Sequence, residues 1–194
     1  RKKLVDTFCN YGIYIIFLIM IIYFSVQSTG FLSLSNAVTV LQLSSTLGIS
    51  VVGMFFVLIT GGIDISVASN MYFSAVVGTT LLNNLGFPLI LCFVGSCLSG
   101  LLIGCINGFC VSRLKIVPFI TTLATYSVAK GLGLMFTNQQ MLFLDAKVRV
   151  FSSTRIFGIP LMVYIFLVVV ILGHFVLTKT QYGRQLFACG NNLT

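Results

Sequence analysis

The chain has 194 residues, of which 58% are hydrophobic and only 7% are charged, and its formal net charge is +8. Soluble domains carry about 25% charged residues, so this composition excludes an ordinary soluble protein and predicts a polytopic membrane protein. The basic residues lie mostly in short segments between apolar runs rather than in one patch. This distribution argues against nucleic acid as a partner and is typical of the signals that orient membrane proteins.

Six apolar segments follow in chain order, each near the ~20 residues that cross the hydrocarbon core of a bilayer. They predict transmembrane spans at about 8–26, 37–59, 66–82, 88–111, 118–137 and 159–177. The expected fold class is all-α, a polytopic transmembrane helical bundle that forms a single domain over residues 1–194 in contact with membrane lipid. Because the first residue is Arg and the last residues are polar with no closing element, we expect an N-terminal fragment of a longer protein.

The basic residues are divided unequally between the two ends of the predicted spans. With the N-terminus in the cytoplasm, most fall on the cytoplasmic side: Arg1, Lys2, Lys3, Arg113, Lys115, Lys179 and Arg184. Lys147, Arg149 and Arg155 fall outside, in the longest loop. Since cytoplasmic loops carry an excess of Lys and Arg, this bias predicts a multi-pass protein of the cell membrane with a cytoplasmic N-terminus.

The stretch "FVLITGGIDISVASN", at 56–70, joins the second and third spans and holds one of three acidic residues in the chain. Gly61 and Gly62 are suited to ending a helix, because glycine readily takes the left-handed conformation. Asp64 or Ser66 would then cap the next helix through a side-chain oxygen. Two interpretations stay open: a capped turn at the cytoplasmic face, or a break at membrane depth that lines a pathway.

Polar residues recur at helical spacing inside the third, fourth and fifth spans. Because polar groups in lipid are costly unless they face protein or water, these residues either hydrogen-bond between helices or line a polar conduit. Lys130 either extends its ammonium to the outer interface or lies near the pathway. The candidate pathway residues are Asp64, Ser66, Asn70, Ser74, Asn107, Thr121, Thr125 and Lys130.

Small residues recur every four positions along the fourth span. Small side chains on one helical face let two backbones approach closely in lipid, where packing drives association. The spacing therefore predicts a helix–helix seam, formed by Ser96, Gly100, Gly104, Gly108 and Ser112.

No group of residues has the spacing of a catalytic centre. The six cysteines form no CxxC pair and the sequence holds one histidine, so we expect neither a metal site nor a disulfide framework. A GxxxxGK[ST] phosphate loop is absent from the sequence, so ATP would have to bind another polypeptide. We therefore expect a transport subunit rather than an enzyme, with no catalytic residue and no cofactor.

Three collinear stretches cover nearly the whole chain: "GMFFVLITGGIDISVAS" at 53–69, "GCINGFCVSRLKIVPFITTLATYSVAKGLGLMFT" at 104–137 and "TKTQYGRQLFACGNN" at 178–192. They resemble permease subunits of sugar-type ABC importers, the ribose-transporter class. The resemblance implies a complete subunit of roughly ten helices, each near the length that crosses a bilayer. It also implies three partners: a second permease subunit, identical or different, a cytoplasmic ATP-binding cassette subunit and an extracytoplasmic solute-binding protein.

The third stretch resembles the start of a cytoplasmic coupling loop and begins at about residue 178. Gly183 and Gly190 bracket a segment that we expect to form a short amphipathic helix, which would dock in a groove of the ATPase subunit with Arg184 at an acidic site. Tyr182 belongs to the same segment. The other interpretation is an ordinary cytoplasmic linker.

The leading function is the membrane-spanning permease subunit of an ATP-driven importer, which forms the path for a small sugar or sugar-like solute. The alternative is an ion-gradient-driven secondary carrier or channel for a small polar solute. Ion relays need charged residues within the spans, and only Lys130 and, at a span end, Asp64 meet that requirement.

Overall fold

The computed structural model describes residues 2–143 and 145–191, so Arg1 and the last residues of the predicted coupling segment lie outside the described part. The elements in chain order are α1 Lys2–Gln27, α2 Leu34–Ile59, α3 Val67–Asn83, α4 Leu89–Ser112, α5 Pro118–Phe136, α6 Ala146–Ser153, β1 Arg155–Ile156, β2 Ile159–Pro160, α7 Leu161–Lys179 and α8 Gln181–Asn191.

One helix overlaps each of the six predicted spans, namely α1 to α5 and α7. Among the described residues, α2, α4, α5 and α7 are long and apolar enough to cross a membrane. Helix α3, with 17 residues, and the apolar part of α1, Tyr11–Gln27, are shorter. These helices confirm the all-α, polytopic fold class.

Local sequence explains where the helices around the site begin and end. Gly61 has a φ of 76°, a conformation that an L side chain rarely adopts, and it follows the last turn of α2 directly. Pro118 is the first residue of α5, where its missing N–H leaves no helical hydrogen bond unmade. Val117 before it has φ −56° and ψ 130°, the extended conformation that a following proline favours.

The chain divides into two compact units, Arg1–Ser44 and Ser45–Thr194. In the first unit, the Ser33 hydroxyl accepts the backbone N–H of Asn36 at 3.2 Å. This bond satisfies one of the free amides at the start of α2 and so fixes where that helix begins.

In the second unit, α3 packs against both α4 and α5 through small or polar side chains. The buried residues at and near these contacts include Ser66, Ser69, Val76, Thr79, Cys92, Ile103, Asn107, Thr121, Thr122 and Ala129. Gly133 of α5 lies against the ring of Tyr72 on α3. Large apolar side chains remain exposed on the same helices, which is expected where lipid surrounds the protein and packing, rather than exclusion of water, holds helices together.

The longest predicted loop contains structure that the sequence reading did not predict. Helix α6 is followed by a two-stranded antiparallel hairpin in which Arg155 pairs with Pro160 and Ile156 with Ile159. Phe157 and Gly158 form its turn with φ values of 50° and 80°, the positive values that two-residue hairpin loops of type I′ require. The helix of the sixth span therefore begins at Leu161, after the hairpin.

Candidate functional site

A cleft of about 400 Å³ lies between α2, α3 and α4, with Asp64 at the end where α2 turns into α3. Its walls combine small, polar and apolar side chains. The lining residues are Ser50, Gly53, Met54, Val57, Asp64, Val67, Asn70, Met71, Ser74, Ser96, Cys97 and Gly100. Five of the residues that the sequence singled out are therefore brought together here: Asp64, Asn70, Ser74, Ser96 and Gly100.

The wall between α3 and α4 is closed by hydrogen bonds from the predicted pathway residues themselves. Asn70 Nδ2 donates to the carbonyl oxygen of Gly100 at 3.2 Å, and Ser74 Oγ donates to Asn70 Oδ1 at 3.4 Å. Ser99 on α4 donates to the Ser74 hydroxyl at 3.3 Å. Asn70 and Ser74 therefore hydrogen-bond within and between the two helices and line the cleft at once, so the two interpretations of these residues do not exclude each other.

Gly100 and Ser96 lie where the two helices approach most closely. A Cβ added at Gly100 would meet Ser74 Oγ at 3.1 Å and Asn70 Oδ1 at 3.5 Å, and one added at Gly78 of α3 would overlap Ser96 Oγ. Small residues at these positions let the backbones approach, as the predicted seam requires.

Gly104, Gly108 and Ser112 do not lie on this seam. Ser112 is exposed, and a Cβ added at either glycine would have no atom of the described chain within 4 Å. The reason is geometric: an α-helix has 3.6 residues per turn, so positions four apart drift by about 40° at each step. The buried face of α4 instead continues through Ile103 and Asn107.

Behind the cleft, three residues form a hydrogen-bonded chain. Asn107 Nδ2 donates to Ser66 Oγ at 2.9 Å, and Ser66 Oγ donates to Asp64 Oδ1 at 2.6 Å. Ser66 is 0% and Asn107 is 7% exposed, whereas Asp64 is half-buried and lines the cleft. These hydrogen bonds link the C-terminal part of α4 to the carboxylate at the end of the cleft.

The carboxylate closes a turn rather than capping α3 in the way the sequence suggested. Asp64 Oδ1 accepts the backbone N–H of Ser66 at 2.8 Å, which is the bond of an Asx turn. Ser66 is the residue that precedes α3, and its side chain makes no capping bond to the helix. Its hydroxyl instead donates to Asp64 Oδ1 and accepts from Asn107 Nδ2.

The remaining candidate pathway residues lie on α5 and do not line the cleft. Thr125 donates to the carbonyl oxygens of Thr121 and Thr122, both at 3.2 Å. Thr121 Oγ1 is buried without a hydrogen-bond partner among the described residues. Lys130 is exposed, and its ammonium lies 5.7 Å from the centre of the Tyr126 ring, a cation–π distance.

Helix α8 covers the predicted coupling segment, but its glycines lie inside the helix and do not bracket it. A Cβ added at Gly183 would overlap the Leu177 carbonyl oxygen near the end of α7, and one added at Gly190 would overlap the Ile59 carbonyl oxygen at the end of α2. Both glycines therefore permit close backbone contact, while Tyr182 and Arg184 are exposed.

The sequence analysis did not predict that α2 contributes residues to the cleft. Ser50, Gly53, Met54 and Val57 line it from one face of that helix, and Ser50 Oγ approaches Met71 Sδ at 3.1 Å. Their spacing of three and four positions is the signal of one helical face. The signal was concealed because the residues between them are equally apolar.

Of the residues that line the cleft, Asp64 is the one that carries a charge. Within the described part of the chain no group of three His, Cys, Asp or Glu side chains comes together as metal ligands. The cleft therefore offers a carboxylate with amide, hydroxyl and thiol groups beside apolar walls, which is suited to binding and orienting a solute.

The long apolar helices of the described chain are those of a multi-pass membrane protein. A family model described as "Branched-chain amino acid transport system / permease component" matches residues 36–194. The chain belongs to this family.

Similar proteins are permeases of sugar import systems. The chain is 29% identical over 185 residues to the ribose import permease protein of Haemophilus influenzae. It is 28% identical over 185 residues to the D-allose transport system permease protein of Escherichia coli and 31% identical over 183 residues to the L-arabinose ABC transporter permease protein of Azospirillum brasilense. These relatives confirm the resemblance to sugar-type ABC importer permeases.

These alignments cover 92%, 94% and 93% of this chain but 57%, 57% and 53% of the three relatives. The chain therefore spans little more than half of their length. No solved structure matches it.

Proposed function

We propose that this chain forms part of the membrane-spanning permease subunit of an ATP-driven importer for a small sugar or sugar-like solute, and that the cleft is part of its path. The observation that carries the proposal is the position of the stretch 53–69. This stretch resembles the signature of sugar permeases and supplies Gly53, Met54, Val57, Asp64 and Val67 to the cleft. The similarity to ribose, allose and arabinose permeases supports the same solute class.

The proposal includes the partners that such importers use: an ATP-binding cassette subunit, a second permease subunit and an extracytoplasmic solute-binding protein. Helix α8 is the proposed contact to the ATPase subunit, through Tyr182 and Arg184. Two observations support this role: α8 exposes both side chains, and Gly190 lies against the end of α2. A cytoplasmic N-terminus would place this end of α2 and the basic end of α7 on the cytoplasmic side together.

An ion-gradient carrier is not favoured, because the similar proteins are permease components of import systems. The structure gives this alternative no support, since Lys130 does not line the cleft with Asp64. A proton or ion relay through the cleft would need a second ionisable group beside the carboxylate.

Purification and uptake test the proposal together. The protein, tagged in its native membrane and purified in mild detergent, should bring an ATP-binding cassette subunit with it. Proteoliposomes made from the complex, with the solute-binding protein outside, should take up labelled D-ribose, D-allose or L-arabinose only when ATP is present on the side of the ATPase subunit. Uptake that follows an imposed ion gradient and ignores ATP would contradict the proposal.

A further inference from the structure

The carboxylate of Asp64 is held through one of its two oxygens. Oδ1 accepts the amide of Ser66 at 2.8 Å and its hydroxyl at 2.6 Å. No residue in the described ranges donates to Oδ2 or forms an ion pair with the carboxylate, which lines the end of the cleft. One carboxylate oxygen is therefore available as an acceptor to a molecule in the cleft.

Asn107 sets the direction in which the Ser66 hydroxyl points. A hydroxyl has one proton to donate and lone pairs to accept with. Because Asn107 Nδ2 donates to Ser66 Oγ at 2.9 Å, the hydroxyl proton is directed to Asp64 Oδ1. This bond and the Asx turn together fix the plane of the carboxylate and the position of Oδ2.

Asn107 is buried, and only the nitrogen of its amide is hydrogen-bonded within the described residues. It is 7% exposed, and its Oδ1 has no hydrogen-bond partner among the described residues. Because a buried acceptor without a partner is unfavourable, an apolar residue of the same shape would suit packing better. Asparagine at this position is explained by what its amide does to Ser66.

We propose that Asp64 Oδ2 accepts a hydrogen bond from a hydroxyl group of the transported solute. Ser66 and Asn107 are positioning residues for the Asp64 carboxylate. This inference rests on the proposed function and adds the residues that recognise the solute. A carboxylate accepts hydrogen bonds from hydroxyl donors, and it repels negatively charged groups such as phosphates and other carboxylates.

The rest of the cleft fits the same solute. No basic side chain lines it, and apolar walls are supplied by Met54, Val57, Val67 and Met71. A neutral polyhydroxylated ring has C–H groups for such walls and hydroxyl groups for Asp64, Asn70 and Ser74. The cleft is therefore selective for neutral sugars over sugar phosphates and sugar acids.

The test of Asp64 uses solutes that differ in one hydroxyl. Uptake of D-ribose, D-allose and L-arabinose is measured in proteoliposomes of the intact transporter, and the best of the three is then compared with analogues in which each hydroxyl in turn is replaced by fluorine. Fluorine cannot donate a hydrogen bond. In the natural protein, one analogue should show a KM raised roughly ten- to a hundredfold, the range of a hydrogen bond to a charged group.

Asp64→Asn keeps an oxygen for the Ser66 turn and places an amide donor where Oδ2 was. The KM for the parent sugar should rise by a similar factor, and the penalty for that one fluorine should disappear. If Asp64→Asn discriminates among the analogues as the natural protein does, Asp64 does not read a hydroxyl and the inference is wrong.

Asn107→Leu tests the positioning role, because leucine has a similar shape and removes the unpaired oxygen together with the donor. Its thermal stability should be unchanged or higher, while its KM for the sugar should rise about two- to tenfold, the range of a neutral hydrogen bond. The matched control is Thr79→Val, which removes the hydroxyl of a buried α3 residue that bonds Ala75 oxygen at 2.8 Å outside the cleft. If the KM of the Asn107→Leu protein equals that of this control, Asn107 does not position the Asp64 carboxylate.

The outcomes separate this inference from the proposed function. ATP-driven uptake of sugar with no effect of Asp64 on hydroxyl selectivity overturns the inference alone. ATP-independent uptake, or no uptake of any of the three sugars by the natural protein, overturns the proposed function and the inference with it.

Discussion

Replacing Gly190 by alanine tests whether α8 is held by the end of α2. In the structure, a Cβ at this position would overlap the carbonyl oxygen of Ile59 and lie 3.1 Å from the carbonyl carbon and 3.8 Å from the Cα of Thr60. All three are backbone atoms at the end of a long helix, so none can rotate away as a side chain would. Helix α8 must move to accommodate the methyl group.

Two effects of Gly190→Ala oppose each other. Alanine favours a helix over glycine by about 1 kcal/mol, which stabilises α8 itself. Overpacking of a close contact costs about 1–3 kcal/mol, which weakens the contact between α8 and α2. Since the overlap is with backbone, we expect a cost in the upper part of that range, about 2–3 kcal/mol, and therefore a net loss of about 1–2 kcal/mol in docking. A net loss of that size is roughly a tenfold change in the docked population.

Hydrogen exchange in the intact transporter measures this change directly. The amides of α8 should exchange roughly tenfold faster in the Gly190→Ala protein, and the stimulation of ATP hydrolysis by solute should fall. The matched control is Gly131→Ala in α5, because a Cβ there would meet no atom of the described chain within 4 Å. The control changes glycine to alanine in a helix without the overlap.

Slower exchange in α8 of the Gly190→Ala protein, with coupling unchanged, would show that helix propensity outweighs the overlap and that α8 does not rest on α2. Equal changes in exchange and coupling for Gly190→Ala and Gly131→Ala would also contradict the role of the contact with Ile59. In that case the loss would come from the substitution of glycine in general rather than from the contact with Ile59.

Two further predictions concern topology and packing. In a cysteine-free background, single cysteines placed beside Lys115 and beside Asp145 should react with a membrane-impermeant reagent from opposite sides, and labelling from one side would contradict the predicted orientation. Gly78→Val should destabilise the protein by about 1–3 kcal/mol because it overlaps Ser96, whereas Gly104→Val should change stability by less than about 0.5 kcal/mol. Thermal unfolding of both variants in the same detergent tests the assignment, and equal losses would place Gly104 on a seam as well.

The existence of the long helices could be predicted from sequence because the bilayer sets their length. A run of about 20 apolar residues is required to cross the hydrocarbon core, and among the described helices α2, α4, α5 and α7 meet that requirement. Helix α6 and the hairpin from Arg155 to Pro160 could not be predicted in the same way. They are short and lie outside the apolar runs, so neither the length rule nor a helical period marks them.

The cleft was harder to predict than the helices, because lipid-facing and protein-facing sides of a membrane helix are equally apolar. The polar residues of α3 marked one wall, and Asn70 and Ser74 do line it. On α2 the residues that line the cleft and the residues between them are similarly apolar, so Gly53 and Met54 were not predicted to line it. The predicted stripe on α4 also includes Gly104 and Gly108, where a Cβ would meet no atom of the described chain within 4 Å, because a repeat of four residues does not follow one face of a helix.

Asp64 shows why a turn and a pathway residue need not be alternatives. A carboxylate has two oxygens, and the backbone and hydroxyl of Ser66 use one of them to close the turn. The same turn begins at Ile59, whose carbonyl oxygen is the contact for Gly190 of α8. We therefore expect a displacement of α8 to act on the backbone between Ile59 and Asp64, which is the shortest connection from α8 to the end of the cleft.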